Sequence, residues 1–432
     1  MTGQSEPRAV TGARPRVAVV GSGISGLTAA YLLRDRSDVT VFEAETRLGG
    51  HAHTHALVGS DGVEVFVDTG FIVHNRRTYP TLLRIFDELQ VETQETEMSM
   101  SVRCDGCGLE YAGGRGLSGL LPVLGALGRP AYLRMLGEVV RFHRDARALL
   151  DVGDDGRALG RFLRDGRYSR YFIEHFALPF VSAVWSAGET VSLDYPAHYL
   201  FTFLHHHGLL SVTGSPTWRT VVGGSISCVR KIEKSLHAVR VATPVRRVAR
   251  VHGGVEIRDG ADTTHQFDGV VLATHPDQAL GMLAAPTADE REILGAFHYS
   301  ANETWLHSDT SVLPKARRAR ASWNYLKTRC AADDRVLVSY DMNRLQRLET
   351  PDDFVVTLNP GHRVTERSVV ARMRYSHPIY TPSSVAAQAQ LPALNDGLLA
   401  FAGAYHGWGF HEDGCASGVQ AAASLRVARS RP

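Results

Sequence analysis

The apolar positions of this chain follow two periods, and the chain changes character where the period changes. Residues 17–20 (VAVV), 39–42 (VTVF) and 270–273 (VVLA) are near-continuous apolar runs, the pattern of strands buried on both faces in a parallel sheet. After the first run, helical spacing takes over at Leu27, Ala30, Tyr31 and Leu33. Residues 63–67 alternate apolar and polar, which predicts a half-buried strand. From Arg76 to about Leu210 the spacing is helical, with one stripe at Leu82, Leu83, Ile85, Phe86 and Leu89 and another at Leu133, Leu136, Val139, Val140 and Phe142. Strand patterns return at 255–257, 305–307, 321–325, 336–340 and 354–358, and a last apolar run at 398–402 leads into a helix ending near Leu425. This order predicts an α/β fold whose chain leaves its first domain and returns to it more than once.

The chemistry begins where the first run breaks into Gly21-Ser22-Gly23-Ile24-Ser25-Gly26. Gly21 permits the tight turn, Gly23 leaves room for a pyrophosphate against the backbone, and Gly26 lets the helix pack on the strand. Ile24 and Ser25 then open that helix, at the positive end of its dipole. The second strand ends on Glu43, followed by Ala44, at the spacing where a carboxylate accepts hydrogen bonds from an adenosine ribose. Strand, glycine turn, helix, second strand and terminal acid together point to a bound dinucleotide.

Arg47-Leu48-Gly49-Gly50-His51 follows the acid, and with it the chain resembles the flavin amine oxidase superfamily, which includes protoporphyrinogen oxidases and phytoene-type desaturases. The resemblance runs on through 68–71 (DTGF), the glycine pair Gly223-Gly224, 270–276 (VVLATHP), and a closing strand ending FAG before an acid-Gly-x-x-Ser-Gly helix start, and so covers residues 17–425. It implies FAD as cofactor. It also implies a Rossmann-like, GR2-type FAD-binding domain (residues 17–75, 215–280 and 395–428) with a discontinuous α+β substrate domain (76–214 and 281–394); residues 1–16, with Pro, Gly, Ser and charges, read by composition as a disordered leader. Beyond the glycine turn and Glu43, the cofactor contacts it implies are Arg47, Gly49, Gly50, His51, Asp68, Thr69, Gly70, Phe71, Val245 (through its backbone, to adenine), Ala273, Thr274, Gly403, Glu412, Asp413, Gly414 and Ser417. The last helix would present its N-terminus to the flavin, where a positive dipole end favours the reduced anion.

Composition narrows the rest. A chain of 432 residues with 44% apolar residues can build two cores, and a net charge of +2 gives no electrostatic case for a nucleic-acid partner. Five cysteines and no secretory apolar run before the first strand make a reducing cytoplasm the expected compartment. Cys104 and Cys107 form a CxxC, but no second ligand pair stands at zinc spacing, so no metal is expected. His51, His53 and His55 alternate as on one strand face, again without a carboxylate or cysteine partner. The apolar stretch 117–133 is broken by Gly125, Gly128, Arg129 and Pro130 and is no membrane span. Arg129, Arg134, Arg141, Arg144 and Arg147 interleave with apolar residues over 126–147, which suits a solvated helix face or peripheral contact with an anionic lipid surface.

The reaction is less sharply drawn. Amine-oxidising members of the superfamily place a lysine soon after the A-x-x-P strand, whereas residues 276–281 (PDQALG) contain none and the next lysine is Lys315. The acid expected after FAG is Ala404. Phe410 or His411 would form one side of an aromatic frame and Tyr375 or Tyr380 the other. These departures favour hydride transfer from a carbon of an apolar, acyl-lipid-like substrate to flavin N5, leaving a double bond, with O2 or another acceptor reoxidising the flavin. GGHAHTH, VDTGFIVHNRRTYP, ASWNY and GFHEDG resemble a bacterial group of the superfamily associated with fatty acyl modification. Amine oxidation to an imine, double-bond isomerisation without net redox change, and an FAD-binding scaffold without turnover are the alternatives. The aromatic and histidine-rich segments 195–207 and 404–411 are expected to line an apolar tunnel. His411, Phe410 and His275 are the candidate catalytic residues, with His377 and His406 as further proton carriers.

Overall fold

A computed structural model describes residues 14–114, 119–120, 128–211 and 215–426, so most of the expected leader lies outside the described residues. The three apolar runs form the centre of a five-stranded parallel sheet. Its order is Ala238–Arg240, Asp38–Phe42, Arg16–Val20, Gly269–Leu272, Leu399–Phe401. Val19 faces Val41 on one side and Val271 on the other, and all three are fully buried, which is why these strands read as unbroken apolar runs. One face carries α1 (Ile24–Leu33), against which the closing helix His411–Ser424 is packed. The other face is covered by a three-stranded antiparallel sheet (Val245–Val251, Gly254–Asp259, Thr264–Phe267) and the helices Pro276–Met282 and Ala288–Gly295. The core there joins Val20, Val270, Ile257 and Leu294 to Leu391 and Leu394.

The second layer is a seven-stranded sheet in the order Val369–Ile379, His298–His307, Val355–Leu358, Val338–Asp341, Trp323–Lys327, Met100–Cys104, Leu109–Gly113. Only the pair Trp323–Lys327 and Met100–Cys104 is parallel. The helices Pro130–Val152, Leu159–Asp165, Leu178–Trp185 and Ala197–His206 close over this sheet around Tyr132, Phe142, Phe172, Phe201 and Tyr325. The helical stretch expected from Arg76 to Leu210 therefore needs correcting, because it also holds three strands, Thr93–Glu95, Met100–Cys104 and Leu109–Gly113. All three strands are short; Thr93–Glu95 and Met100–Cys104 pair with strands more than a hundred residues away, and Leu109–Gly113 is an edge strand paired only with Met100–Cys104, so no local period marks them. The first helix of that stretch, α2 (Pro80–Glu88), sends Leu82, Ile85 and Phe86 into a core with Leu27, Val229 and Ile232 on the parallel-sheet side.

The arginine-rich helix Pro130–Val152 satisfies most of its cations internally. Arg134 and Arg141 reach Glu138 at 3.4 and 3.7 Å, and Arg141 also lies 4.1 Å over the Tyr168 ring. Arg144 pairs with Asp145 at 3.0 Å, and Arg147 donates to the Leu210 carbonyl at 2.7 Å. Among the described residues, no helix is long and apolar enough to cross a membrane.

Candidate active site

Four backbone turns meet at the carboxyl end of the parallel sheet. In the glycine loop, Gly21 has φ +96°, donates its N–H to the Phe42 carbonyl at 2.9 Å, and leaves no room for a Cβ, which would lie 2.6 Å from the Ala273 carbonyl oxygen. A Cβ on Gly26 would run into the Gly21 carbonyl. Gly23 is different: nothing lies within 4 Å of where its Cβ would be, and it is the N-cap of α1 with no side chain capping the helix. Two glycines thus set the close packing, and the third leaves an open cradle above free N–H groups, as a pyrophosphate requires.

Glu43 is held beside this cradle. Its Oε2 accepts from Ser22 N at 2.9 Å and Ser22 Oγ at 2.5 Å, and its Oε1 accepts from Glu45 N at 2.8 Å. Each oxygen keeps acceptor capacity for a ribose hydroxyl. Neighbouring Ala44 is exposed. Ala242 and Thr243 donate to the carbonyls of Glu45 and Glu43, both at 2.8 Å, which brings the start of the Val245–Val251 strand, and so Val245, near the acid.

The second turn is folded by Arg47, which donates to the Gly50 carbonyl at 2.8 Å and pairs with Glu45 at 2.9 Å. Gly49 and Gly50 both have positive φ, and a Cβ on Gly50 would sit 3.1 Å from Gly23 Cα, so this turn closes against the first loop. The third turn locks onto it: Phe71 N donates to the His51 carbonyl at 2.7 Å, Thr69 N donates to the His53 carbonyl at 2.9 Å, and Gly70 has no space for a side chain against His51. Asp68 uses its carboxylate inside the protein, accepting from Ser225 N and Oγ (3.0 and 2.8 Å), Thr54 Oγ1 (2.5 Å) and Gln346 Nε2 (2.9 Å). Burial pushes its pKa up to about 6.

The closing helix supplies the fourth turn. Ser417 Oγ accepts from Gly403 N at 2.9 Å and donates to the Gly414 carbonyl at 2.8 Å, which ties the strand end to the helix. A Cβ on Gly414 would lie 2.7 Å from Ile24 Cγ2, and one on Gly418 would run into the Ser25 carbonyl, so the N-terminal ends of the two helices touch through backbone. The Glu412 carboxylate faces away from this seam and caps α2, accepting from Thr81 and Leu82 N–H groups at 2.9 Å each. Asp413 accepts from Phe410 N at 2.9 Å, and burial raises its pKa to about 7.

Beyond the turns lies a chamber walled by imidazoles. His51 lies close enough to His275, His377 and His411 for its charge to interact with each of theirs, and His377 does the same with His275. Its ring centroid is 5.5 Å from His377 and 4.9 Å from Tyr375. His411 stacks on Phe71 at 3.9 Å, and its Nε2 is buried without a hydrogen-bond partner. His275 stacks on Tyr299 at 4.1 Å, and Asn302 Nδ2 lies 3.0 Å from His377 Nδ1. Desolvation lowers all four pKa values, to about 3 for His411 and about 4 for His377, so the walls are neutral near pH 7. His53 and His55 stack on each other at 4.3 Å, apart from His51, and the alternating histidines form no metal-binding group among the described residues.

Next to the chamber, the segments 195–207 and 404–411 come together as aromatic walls. Phe410 stacks on Phe203 at 4.8 Å, and Tyr199 Oη donates to the Gly407 carbonyl at 2.8 Å. A cavity of about 300 Å³ opens here between Tyr79, His206, His207, Trp408, Phe410 and Asp413. None of the four lysines lines either space. Lys327 is buried against Glu189, with both Nζ–Oε distances 2.6 Å, and Lys231, Lys234 and Lys315 are exposed. Tyr299 and Asn302 were not legible as site residues; their placement comes from the pairing of Ser300 with His377 across two strands seventy-odd residues apart.

The uncapped glycine cradle and the acid beside it, with acceptor capacity to spare, fit FAD. The pyrophosphate would lie on the α1 N-terminus, the ribose at Glu43, and the ring system between the Gly49–Gly50 turn and the closing helix. The class of protein is thus an FAD-binding, two-layer flavoprotein. Residues 24–426 match the flavin containing amine oxidoreductase family, and the chain belongs to that family of FAD-dependent oxidoreductases.

Among curated relatives, a carotenoid phi-ring synthase of Streptomyces griseus is 29% identical over 298 residues, 64% of this chain and 55% of that protein. A tryptophan 2-monooxygenase of Allorhizobium ampelinum is 52% identical over 52 residues, 12% of this chain and 7% of that protein. The chain thus spans about half or less of the length of these relatives. Among solved structures, cyclohexylamine oxidase from Brevibacterium oxydans superposes with a TM-score of 0.67 at 17% identity, covering 95% of this chain and 98% of that one. A CLA-producing fatty acid isomerase from P. acnes gives 0.60 at 16% identity, covering 94% and 97%. At such identities these two show the shared fold alone.

Proposed function

We propose that the chain dehydrogenates an apolar, acyl-chain-like substrate, taking a hydride from one carbon and a proton from its neighbour to leave a double bond. The observation that carries this reading is the wall of neutral imidazoles and aromatic rings, with the one buried lysine committed to Glu189. Against the neutral rings of the chamber a charged amine loses hydration without a counter-ion, and the two carboxylates at the adjoining cavity, Glu412 and Asp413, are already engaged by backbone N–H groups, whereas a hydrocarbon loses nothing by entering. Names among the similar proteins, a carotenoid phi-ring synthase and a fatty acid isomerase, are in keeping with an apolar substrate.

Bound FAD supplies the hydride acceptor. His411 Nε2, buried and unpartnered, is the proton acceptor, and its stack on Phe71 fixes the ring plane. His377 is oriented through Nδ1 by Asn302, and His51 and His275 keep the surroundings dry and uncharged. The Phe203–Phe410 stack and Trp408 guide the chain of the substrate past the cavity beside Tyr79.

The test is anaerobic flavin bleaching of holoenzyme by acyl lipids and, in parallel, by primary and secondary amines. Bleaching by lipids with appearance of a new double bond is the expected result. Bleaching by amines alone would overturn it, and a shifted double bond formed without consumption of any acceptor would assign isomerisation instead.

A further inference from the structure

The CxxC that lacked a partner in sequence has two in space. Cys104 ends the strand Met100–Cys104, and Cys107 lies in the turn that leads to the strand Leu109–Gly113. His175 comes from a π-helical turn, Ile173–Ala177, and Cys330 from the loop after the strand Trp323–Lys327. One ligand atom from each of the four lies within 4.8 Å of all the others. Cys104 Sγ is 3.6 Å from Cys330 Sγ, and Cys107 Sγ is 3.5 Å from His175 Nε2. A tetrahedral zinc with Zn–S of about 2.3 Å and Zn–N of about 2.0–2.1 Å places ligand atoms about 3.8 Å apart (S to S) and about 3.6 Å apart (S to N).

We infer that these residues form a Cys3His site for a structural Zn²⁺ ion. Four further features point to a built site. His175 Nδ1 lies 3.0 Å from the Tyr171 carbonyl, which can only accept, so the proton sits on Nδ1 and the Nε2 lone pair faces the sulfurs. The Tyr171 ring stacks on the imidazole at 4.2 Å, and Tyr111 Oη donates to the His175 carbonyl at 2.8 Å, fixing the ring from both sides. The Cys104–Cys107 turn has the tight form of a chelating loop: Gly108 has φ +66° and donates to the Cys104 carbonyl at 2.8 Å. A π-turn inserts one residue into a helix and is frequent at functional positions, and here it carries the one histidine of the set.

Binding displaces three thiol protons and gives a cage of net charge −1, with Arg129 donating to the Cys107 carbonyl at 3.2 Å beside it. The four ligand groups come from three segments far apart in sequence, so the ion closes long loops and pins the edge hairpin of the seven-stranded sheet. A site with four protein ligands has no open position and takes no part in turnover. It stands apart from the flavin chamber and from the substrate assigned to it.

Metal analysis of purified holoenzyme tests this directly. One zinc per chain is expected, released in full when a mercurial blocks the thiols and read with a colorimetric zinc indicator. Cys330→Ser and His175→Ala should lose the metal, and Cys228→Ser should keep it. Should the ligand variants fail to fold, wild-type protein produced in cobalt medium should show thiolate-to-cobalt charge transfer and the intense visible bands of tetrahedral cobalt. Holoenzyme that is metal-free as isolated and binds no added zinc or cobalt would overturn the site, as would a Cys104–Cys330 disulfide found in the native protein.

Discussion

The cofactor seam and the imidazole chamber are neighbours built on opposite principles. Along the seam, from Gly21 through Gly50 to Gly414 and Gly418, the structure works because side chains are missing, and two helices and three turns meet through backbone. In the chamber, side chains from residues 51, 71, 275, 299, 377 and 411 do the work, each delivered by a different element. The seam tolerates almost no added volume. The chamber's shape should survive substitution, but its chemistry should not. Cofactor retention and turnover should therefore fail separately, and that separation can be tested.

The largest effect is expected on the seam. Gly26→Val drives a branched side chain into the Gly21 carbonyl, which backbone movement alone can relieve, so a cost of more than about 3 kcal/mol is expected. The ratio of flavin to protein absorbance should fall to near zero; a fully flavinylated, normally stable variant would break the contrast. Next comes the buried pair. Lys327→Met should destabilise by about 3–5 kcal/mol because Glu189 is left charged and buried, and the double change Lys327→Met with Glu189→Leu should regain most of it. Both variants, once folded, should reduce their flavin at the wild-type rate. A stable Lys327→Met protein that no longer reduces flavin would return a lysine to the chemistry.

His411→Phe keeps a ring stacked on Phe71 and removes the unpartnered nitrogen, so stability should hold or rise slightly while anaerobic flavin reduction slows by about 10²–10⁴-fold. An unchanged rate would remove His411 as the proton acceptor.

The pH dependence is smaller and has a definite sign. His377, His406 and His411 have folded pKa values near 4, 4 and 3, below the unfolded value of 6.5, so between pH 6.5 and those values the unfolded chain binds more protons. Each therefore lowers stability as pH falls, by up to about 2 kcal/mol at pH 5. Asp413, raised to about 7, and Asp68, raised to about 6, act oppositely and favour the folded state at low pH, but two carboxyls do not outweigh three imidazoles. Thermal scans should show the midpoint falling from pH 7 to pH 5, and Asp413→Asn should steepen that fall. The smallest effect belongs to the exposed arginines: Arg134→Ala and Arg144→Ala should each stay within about 0.5 kcal/mol of wild type.

Much of the seam is legible in the sequence. Gly21, Gly23 and Gly26 sit at fixed offsets within one strand-turn-helix unit, and Arg47, Gly49 and Gly50 follow within thirty residues, so local spacing alone carries the signal. Some roles shifted on closer view. The Asp68 and Glu412 carboxylates are used to tie Ser225 and to cap α2, because each meets a backbone donor brought in by folding. The chamber was half legible: His275, His377 and His411 stood out by residue type, but nothing local shows that they meet.

What the sequence determined by itself was the parallel sheet, the dinucleotide cradle and the family, since each is written in residues adjacent along the chain. Only the tertiary structure decided which histidines face one another, that the buried lysine is spent on Glu189, and that Cys107 has His175 and Cys330 for company. Those contacts join residues 68 to 360 positions apart, and side-chain chemistry at such separations is fixed by the packing of sheets and helices, which no local period records.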